Sequence, residues 1–539
     1  MNKEQKIKYN CIKIFLLLLC LFLLLIRFHN VTANPPIISW SSGEWGDPAI
    51  YLYNARSYAL FHEWRYEDSL AFFTTPGFTL SSTLWYKLFG AQYEVPVLIT
   101  VISGLVGLCL TSYLTFLMMK ETVFVFSDEK YLKFFLLLPL LVVTAGLFSH
   151  TFFVFQRVPK GDMEGITLCI ASALCFVTGL SKNSKAMNSL AFFLAFLAAF
   201  IKTLYAIFLP ILILYILFNL KDCKKNLLSY LIGIASGAAI WAVWFFWLAH
   251  LNIFEEWFKA LFYQASYISV GVDVAHKAST GPISSFPPRF FQTNLFLRQP
   301  AETLLTAIGI SSVILLKPRN SVLRFSAIWL AFGIVILSIF HYVPLRYRLF
   351  IAPPAAILSA FALTTKFDNH TRKLIAIVSS FILSLALCGT LSGRINSPAA
   401  SIILTLIAIV PIAFFLYALL APSRRAIFLI LVVSIFCAGN TFFWMKGGFS
   451  EGPGPKELSQ ILDTEFHERA VSGLWGVRAA LLLPDIDAYL IPEKVPPSKN
   501  ILLIEQKSHL PKNLDNWKEL RRFQGIIPTE PIIILERTH

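Results

Sequence analysis

Apolar residues run along this chain in long blocks separated by short polar breaks. The blocks fall at 14–28, 97–119, 134–153, 165–180, 188–201, 203–219, 228–251, 301–316, 325–343, 349–365, 374–391, 399–421 and 426–445. About 20 apolar helical residues cross the roughly 30 Å hydrocarbon layer of a bilayer. The pattern therefore predicts an all-α polytopic membrane protein with about thirteen transmembrane helices. The block at 188–201 is short, which fits a tilted or partly spanning helix. Lys3, Lys6, Lys8 and Lys13 precede the first block. With Thr32-Ala33 after it, a cleavable signal is one reading. The many spans that follow favour an uncleaved first helix.

Three segments between or after the blocks are too long to be connectors: 29–96, 252–300 and 446–539. Loops of this length usually carry function. Within the first, Ile50, Tyr53, Tyr58 and Phe61 recur at helical spacing, as do Phe78, Leu84, Tyr86 and Leu88 further on. Both stretches, 49–64 and 78–89, are expected to be interfacial helices lying on the membrane. The Gly- and Pro-rich stretch 268–300 is expected to be a mobile loop. Past Met445 the composition changes. Gly447, Gly448, Gly452, Pro453, Gly454 and Pro455 read as a linker. A helix over 456–466 and buried strands at Ile501–Ile504 and Ile532–Leu535 then suggest a small α/β domain. The predicted division is a membrane domain, 1–445, and an outer C-terminal domain, 446–539.

Composition agrees with this picture. The chain has 539 residues, 56% hydrophobic and only 14% charged, where a soluble domain has about 25% charged. The net charge of +15 would suggest nucleic acid in a soluble protein. Here its distribution assigns it to topology. Lys120, Lys130 and Lys133, then Lys182 and Lys185, Lys221 to Lys225, Lys317 to Arg324, Lys366 to Lys373, and Arg424-Arg425 all fall in alternate loops. If all thirteen blocks cross, these loops share one side with the N-terminus, and the positive-inside rule makes that side cytoplasmic. Residues 446–539 are then outside, and nucleic acid is not an expected partner. The eight cysteines are scattered, mostly within apolar blocks, and form no CxxC pair. Neither a zinc site nor a disulfide framework is indicated, and no cofactor or metal is called for.

Charged residues on the outer face are the minority that chemistry would need. Asp47 follows the first block, and Asp162 and Glu164 open the fourth. Ionised groups at membrane depth are costly and tend to face a cavity. Asp47 before Pro48, and Asp162 at a helix start, are equally well placed as helix caps. Arg56, Arg157, Lys160, Lys202, Arg346 and Arg348 lie on the same side. Each alone suits a side chain snorkelling to lipid phosphate. Together, on a face where basic residues are disfavoured, they point to an anionic headgroup as ligand.

These residues also carry a resemblance. The stretch from Gly46 through Asp47-Pro48 to Ala55-Arg56 resembles the start of the first outer loop of the GT-C superfamily, the polyprenyl-phosphate-sugar glycosyltransferases. So does Thr75-Pro76-Gly77-Phe78 followed by Leu84 to Gly90. Asp162 matches the family's acid opening the fourth span. Lys202 followed by Pro210 resembles its Lys-containing turn, and Arg346-Tyr347-Arg348-Leu349-Phe350 with Pro353-Pro354 resembles its Arg-Tyr-apolar-Pro segment. In layout the chain is similar to protein mannosyltransferases and lipid A aminoarabinose transferases. The likeness spans roughly residues 10–365. Two departures stand out: the family's Asp-Glu pair is Asp47-Pro48 here, with Glu44 nearby, and the Lys-Pro-Pro turn of the aminoarabinose transferases is Thr74-Thr75-Pro76-Gly77.

The resemblance implies an inverting glycosyltransferase of a bacterial inner membrane. It would take a sugar from a polyprenyl-phosphate donor, in contact with membrane lipid, to a glycan, lipid or protein acceptor on the outer face. Asp47 is implied as the base and Asp162 as the second acid. Arg56, Lys202, Arg346, Tyr347 and Glu164 are implied as substrate-binding residues, the cations facing the donor phosphate. The competing readings are a transporter or flippase, which would place charges within spans and show an internal repeat, and a polymerase of lipid-linked glycans, which would not need the Asp47 segment. Arg348, two residues beyond Arg346, is expected to face lipid headgroups.

Overall fold

The computed structural model describes residues 43–65, 70–121, 152, 155–270, 300–316, 320–339, 345–364, 368–392, 398–421, 455–467, 469–483, 485–496, 501–507, 510, 514–524 and 531–538, with single positions 14, 18, 21, 25 and 28. Most of the blocks at 14–28 and 134–153, all of 426–445, most of the expected loop at 268–300 and the linker before Pro455 lie outside these residues, as does the side chain of Asp47; the described ends of that loop, 268–270 and Pro300, are helical instead. The other ten blocks coincide with described helices.

Three helices of the first long loop come first: α1 (Gly43–Phe61), α2 (Leu70–Thr74) and α3 (Pro76–Phe89). The apolar body follows as α4 (Glu94–Glu121), α5 (Asp162–Ser181), α6 (Lys185–Ile201), α7 (Phe208–Phe218) and α8 (Leu227–His250). It continues through α9 (Phe254–Val270), α10 (Pro300–Leu316), α11 (Ser321–Ile339), α12 (Ala352–Thr364), α13 (Asn369–Ser392) and α14 (Pro398–Leu419). Among the described residues, Glu94–Met119, Asp162–Ser181 and Leu220–His250 are long and apolar enough to cross a membrane. Shorter apolar helices include Lys185–Ile201, Thr203–Phe218, Thr303–Leu316 and Ser321–Leu337.

Packing inside the body depends on ring interlock and small residues. Phe176, Phe192, Phe208, Phe325, Trp329 and Phe350 form one buried cluster, with the Phe208 and Trp329 rings edge to face at 4.9 Å. In lipid the hydrophobic effect does not drive helices together, so close backbone approach matters more. On α8, Gly233 and Gly237 stand one turn apart. A Cβ at either would collide with α6, at the Ser189 carbonyl or the Phe196 side chain.

The C-terminal residues form α15 (Pro455–Glu465), β1 (Ala470–Ser472), α16 (Leu474–Ala480), β2 (Ala488–Tyr489), β3 (Ile501–Gln506), β4 (Trp517–Gln524) and β5 (Pro531–Arg537). They build a mixed sheet ordered β2-β1-β3-β5-β4. Strands β2, β1 and β3 run parallel, and β5 lies antiparallel to both β3 and β4. Alternation sorts the strands: Leu502, Ile504, Ile532 and Ile534 face α15 and α16, while Leu503, Ile533 and Leu535 pack with Trp517 on the other side. A helical membrane protein with a small C-terminal α/β fold is thus what the sequence builds.

The first long loop sits differently from expectation. Its helix α1 does not lie free on a membrane surface. Ala49, Leu52, Tyr53 and Ala55 share one buried cluster with Val471, Trp475 and Val477 of the C-terminal fold. Alternating apolar residues signal a buried face without saying what buries it. Helix α3 leaves Leu84, Leu88 and Phe89 exposed along one side while Phe78 and Tyr86 point inward.

Candidate functional site

The site forms where α5 begins, α6 ends and the segment 345–350 turns into α12. Gly161, at φ +75°, turns the chain into α5. That left-handed conformation suits glycine, and Phe78 of α3 packs against it. Asp162 is therefore the first residue of α5. Its carboxylate oxygens accept no hydrogen bond from the amides of its own helix. Instead its carboxylate meets the Lys202 ammonium at 2.8 Å, both side chains only 2% exposed, and lies 4.0 Å from Arg346 Nε. The capping alternative for Asp162 gives way to this ion cluster. Asp47 is no N-cap either, because α1 begins at Gly43, ahead of it.

Lys202 is positioned by a break in the helices. The backbone leaves α6 in an extended conformation at Lys202 and re-enters a 3-10 turn, Thr203–Ile207. The side chain thereby points inward, toward the start of α5. Its ammonium donates to the Lys160 carbonyl at 3.3 Å and lies 5.1 Å from the Tyr51 ring. Tyr205 donates to the Asp162 backbone carbonyl at 2.7 Å, and its ring abuts Gly165, where a Cβ would collide with it. Tyr51, Tyr205 and the Lys160 carbonyl were not singled out in the sequence. The signal available for Tyr51 is its position one helical turn after Asp47.

Arg346 and Tyr347 lie in the 3-10 segment Leu345–Phe350, both buried, with the Arg346 guanidinium 5.5 Å from the Tyr347 ring. Arg348 is only 2% exposed. The expectation that it faces lipid headgroups is therefore corrected. The tight 3-10 winding, about three residues per turn, keeps this short segment against the bundle. Arg157 and Lys160 are buried nearby in the chain. Desolvation pulls the Arg157 guanidinium down to about 10, so it stays cationic at neutral pH.

Glu164 has a different setting. Successive helical residues turn by about 100°, so Asp162 and Glu164 project on nearly opposite sides of α5. Glu164 Oε1 accepts from Thr100 of α4 at 2.8 Å. Its Oε2 is shielded from solvent and has no hydrogen-bond partner. It lines a cavity of about 240 Å³ between α3, α4 and α5.

Arg56 is taken up elsewhere. Its guanidinium donates to the carbonyls of Leu483 at 2.7 Å and Ile486 at 2.6 Å. Burial lowers it to about 10, so it remains charged. In this structure these bonds make Arg56 a tether between α1 and the C-terminal fold. Arg65 adds to the tether: it pairs with Asp487 at 2.8 Å, stacks on Tyr489 at 3.9 Å and donates to the Ala488 carbonyl. Arg65 stands in no motif, and a basic residue in the first long loop is its one signal in the sequence. Arg56→Ala would leave two carbonyls short of a charged donor, each such bond being worth about 1.5–3 kcal/mol. Limited proteolysis is expected to cut residues 455–538 at least tenfold faster in that variant. Arg56→Lys is expected to recover part of the protection, since an ammonium lacks the planar fork.

Two solved structures share the architecture. ArnT from Cupriavidus metallidurans bound to undecaprenyl phosphate aligns with a TM-score of 0.57 at 14% identity, over 97% of this chain and 98% of that one. The apo state of the same protein aligns with a TM-score of 0.56 at 13% identity and the same coverage. At such identity the likeness is one of fold. No protein-family model matches the chain, and no curated protein matches it by sequence.

Proposed function

We propose that this protein is a GT-C-type glycosyltransferase that moves a sugar from a polyprenyl-phosphate donor to an acceptor on the outer face of the membrane. In this reading the N-terminus is cytoplasmic and residues 446–539 are outside. The reading is carried by the Asp162–Lys202–Arg346 cluster. A buried carboxylate holds two cations in fixed relation at a helix junction, within a fold shared with a protein solved on undecaprenyl phosphate. A transporter reading finds no such support.

The chemistry follows from the groups available. The acceptor hydroxyl attacks the anomeric carbon, and the bond from that carbon to the phosphate oxygen breaks. The proton passes to a carboxylate, and the electron pair leaves with the phosphate. Asp47 is the proposed base. It precedes Tyr51 by one turn of α1, and the Tyr51 ring lies against the Lys202 ammonium, so this face of α1 borders the cation cluster. The leaving phosphate is a weak base that needs cations rather than an acid. Lys202 and Arg346 supply them, and Tyr347 orients Arg346. Asp162, within reach of both, keeps the two cations aligned. An oxocarbenium-like transition state gains further from nearby carboxylates.

Arg346 provides the test. A partly desolvated charge contact is worth roughly 1.5–3 kcal/mol, so Arg346→Ala should bind undecaprenyl phosphate about tenfold to hundredfold more weakly and slow turnover with it. Arg346→Lys should recover only part. Arg348→Ala, made in parallel, reads the neighbouring buried arginine. Loss confined to Arg348→Ala would move the phosphate contact by two residues. Full binding in both variants would remove the donor site from this segment.

A further inference from the structure

The cavity between α3, α4 and α5 stands apart from the cation cluster, across the first turn of α5. Phe78, Pro96, Ile99, Leu168 and Ile201 give it apolar walls, Trp85 adds an indole, and Ser81, Ser82, Ser103 and Thr167 contribute hydroxyl-bearing positions. Into this space faces one carboxyl group, Glu164. One of its oxygens is engaged by Thr100, and the other has no partner. A carboxylate oxygen shielded from water and left unpaired costs stability. Glu164 is neither ion-paired nor part of the Asp162 cluster among the described residues.

A ligand that completes this arrangement donates a hydrogen bond and offers an apolar face. At about 240 Å³, the cavity falls below the ~300–1,000 Å³ of pockets for drug-sized molecules. It has room for about one ring. A carboxylate for hydroxyl donors, an indole for the C–H face of a ring and flanking serines together fit a neutral monosaccharide. A bare alkyl chain would leave Oε2 unpaired.

We propose that this cavity is an acceptor-side subsite that holds one sugar ring, with Glu164 Oε2 accepting from its hydroxyls and Trp85 packing on its face. The inference rests on the glycosyltransferase reading and deepens it. The donor sugar is tied to the phosphate at Lys202 and Arg346, across α5, so the ring in this cavity belongs to the other substrate. The acceptor is then a glycan or glycolipid, and this ring anchors it beside the ring that reacts.

The experiment uses the full-length protein in lipid nanodiscs, with hexyl β-glucoside and 1-hexanol as probes read by saturation-transfer NMR, and undecaprenyl phosphate binding measured alongside. The glucoside is expected to bind the wild type, and hexanol at least tenfold more weakly. Glu164→Ala is expected to weaken the glucoside at least tenfold, and Trp85→Leu about fivefold, with undecaprenyl phosphate binding unchanged in both. Trp85 is half-buried at the rim, so Trp85→Leu decides the matter if Glu164→Ala fails to fold. Equal binding of hexanol and glucoside, insensitive to these substitutions, would make the cavity a crevice for lipid chains and overturn the proposal. So would absence of glucoside binding while undecaprenyl phosphate still binds, a result that leaves the donor reading intact. Failure of undecaprenyl phosphate to bind the wild type would instead strike the glycosyltransferase reading itself.

Discussion

Asp47→Asn is expected to lower transfer by about 10²–10⁴-fold, the usual worth of a positioned general base, while leaving the fold and donor binding in place. The substitution keeps the size of the side chain and removes its capacity to take a proton. Because α1 already extends back to Gly43, the variant does not forfeit a helix cap. Its thermal unfolding should therefore match the wild type within a degree or two. The measurement pairs a transfer assay with undecaprenyl phosphate binding. Turnover within a few-fold of wild type would return Asp47 to a structural role. A loss of binding equal to the loss of turnover would make it a donor contact rather than a base.

The second large effect concerns the buried pair. Lys202→Met leaves the Asp162 carboxylate, 2% exposed, without the ammonium at 2.8 Å. Breaking one partner of a buried ion pair costs about 3–5 kcal/mol, because the remaining charge is stranded. Arg346 at 4.0 Å is too distant to replace the contact in full. The single variant is expected to unfold markedly earlier in a detergent melt and to lose transfer. Combining it with Asp162→Leu removes both charges, and buried ion pairs replaced by apolar residues of similar volume are often neutral in stability. The double variant should thus regain most of the melting temperature and none of the activity. Recovery of activity along with stability would show that the pair only holds the fold. No destabilisation in Lys202→Met would mean that water reaches Asp162.

Those two residues were legible in the sequence for a simple reason. A lysine between apolar blocks and an acid at the mouth of a span are expensive, and the expense marks them. Their mutual contact was not legible, because it depends on the turn at Gly161 and on the extended break after Ile201, neither of which periodicity reports. Arg56 illustrates the opposite case. Its position on the outer face and its motif both suggested phosphate, yet tertiary packing set the Leu483 and Ile486 carbonyls against it. Arg348 likewise shows that a short 3-10 segment does not follow the alternation one assigns to an α-helix start.

The C-terminal fold divides in the same way. Apolar runs at 501–504 and 532–535 announced the central strands β3 and β5. Strand β4, Trp517–Gln524, carries Lys518, Glu519, Arg521 and Arg522 and lies at one edge of the sheet. Edge strands tolerate and even favour such charges, which erases the apolar signal. Strands β1 and β2 are too short for any pattern.

Strand β2 is the opposite edge, and its finish has a consequence for the molecule as a whole. Asp487 and Tyr489 turn their carbonyls to β1, accepting from Val471 and Gly473. The Ala488 carbonyl faces outward and receives Arg65, and the Leu490 amide donates to the Tyr53 hydroxyl. Side chains of the first long loop therefore occupy the ladder positions that another strand would otherwise fill. An open edge is a template for strand addition and aggregation. Here the loop acts as a built-in plug on the β2 edge, and a C-terminal fragment severed from the membrane part would carry that edge bare, as a sticky border.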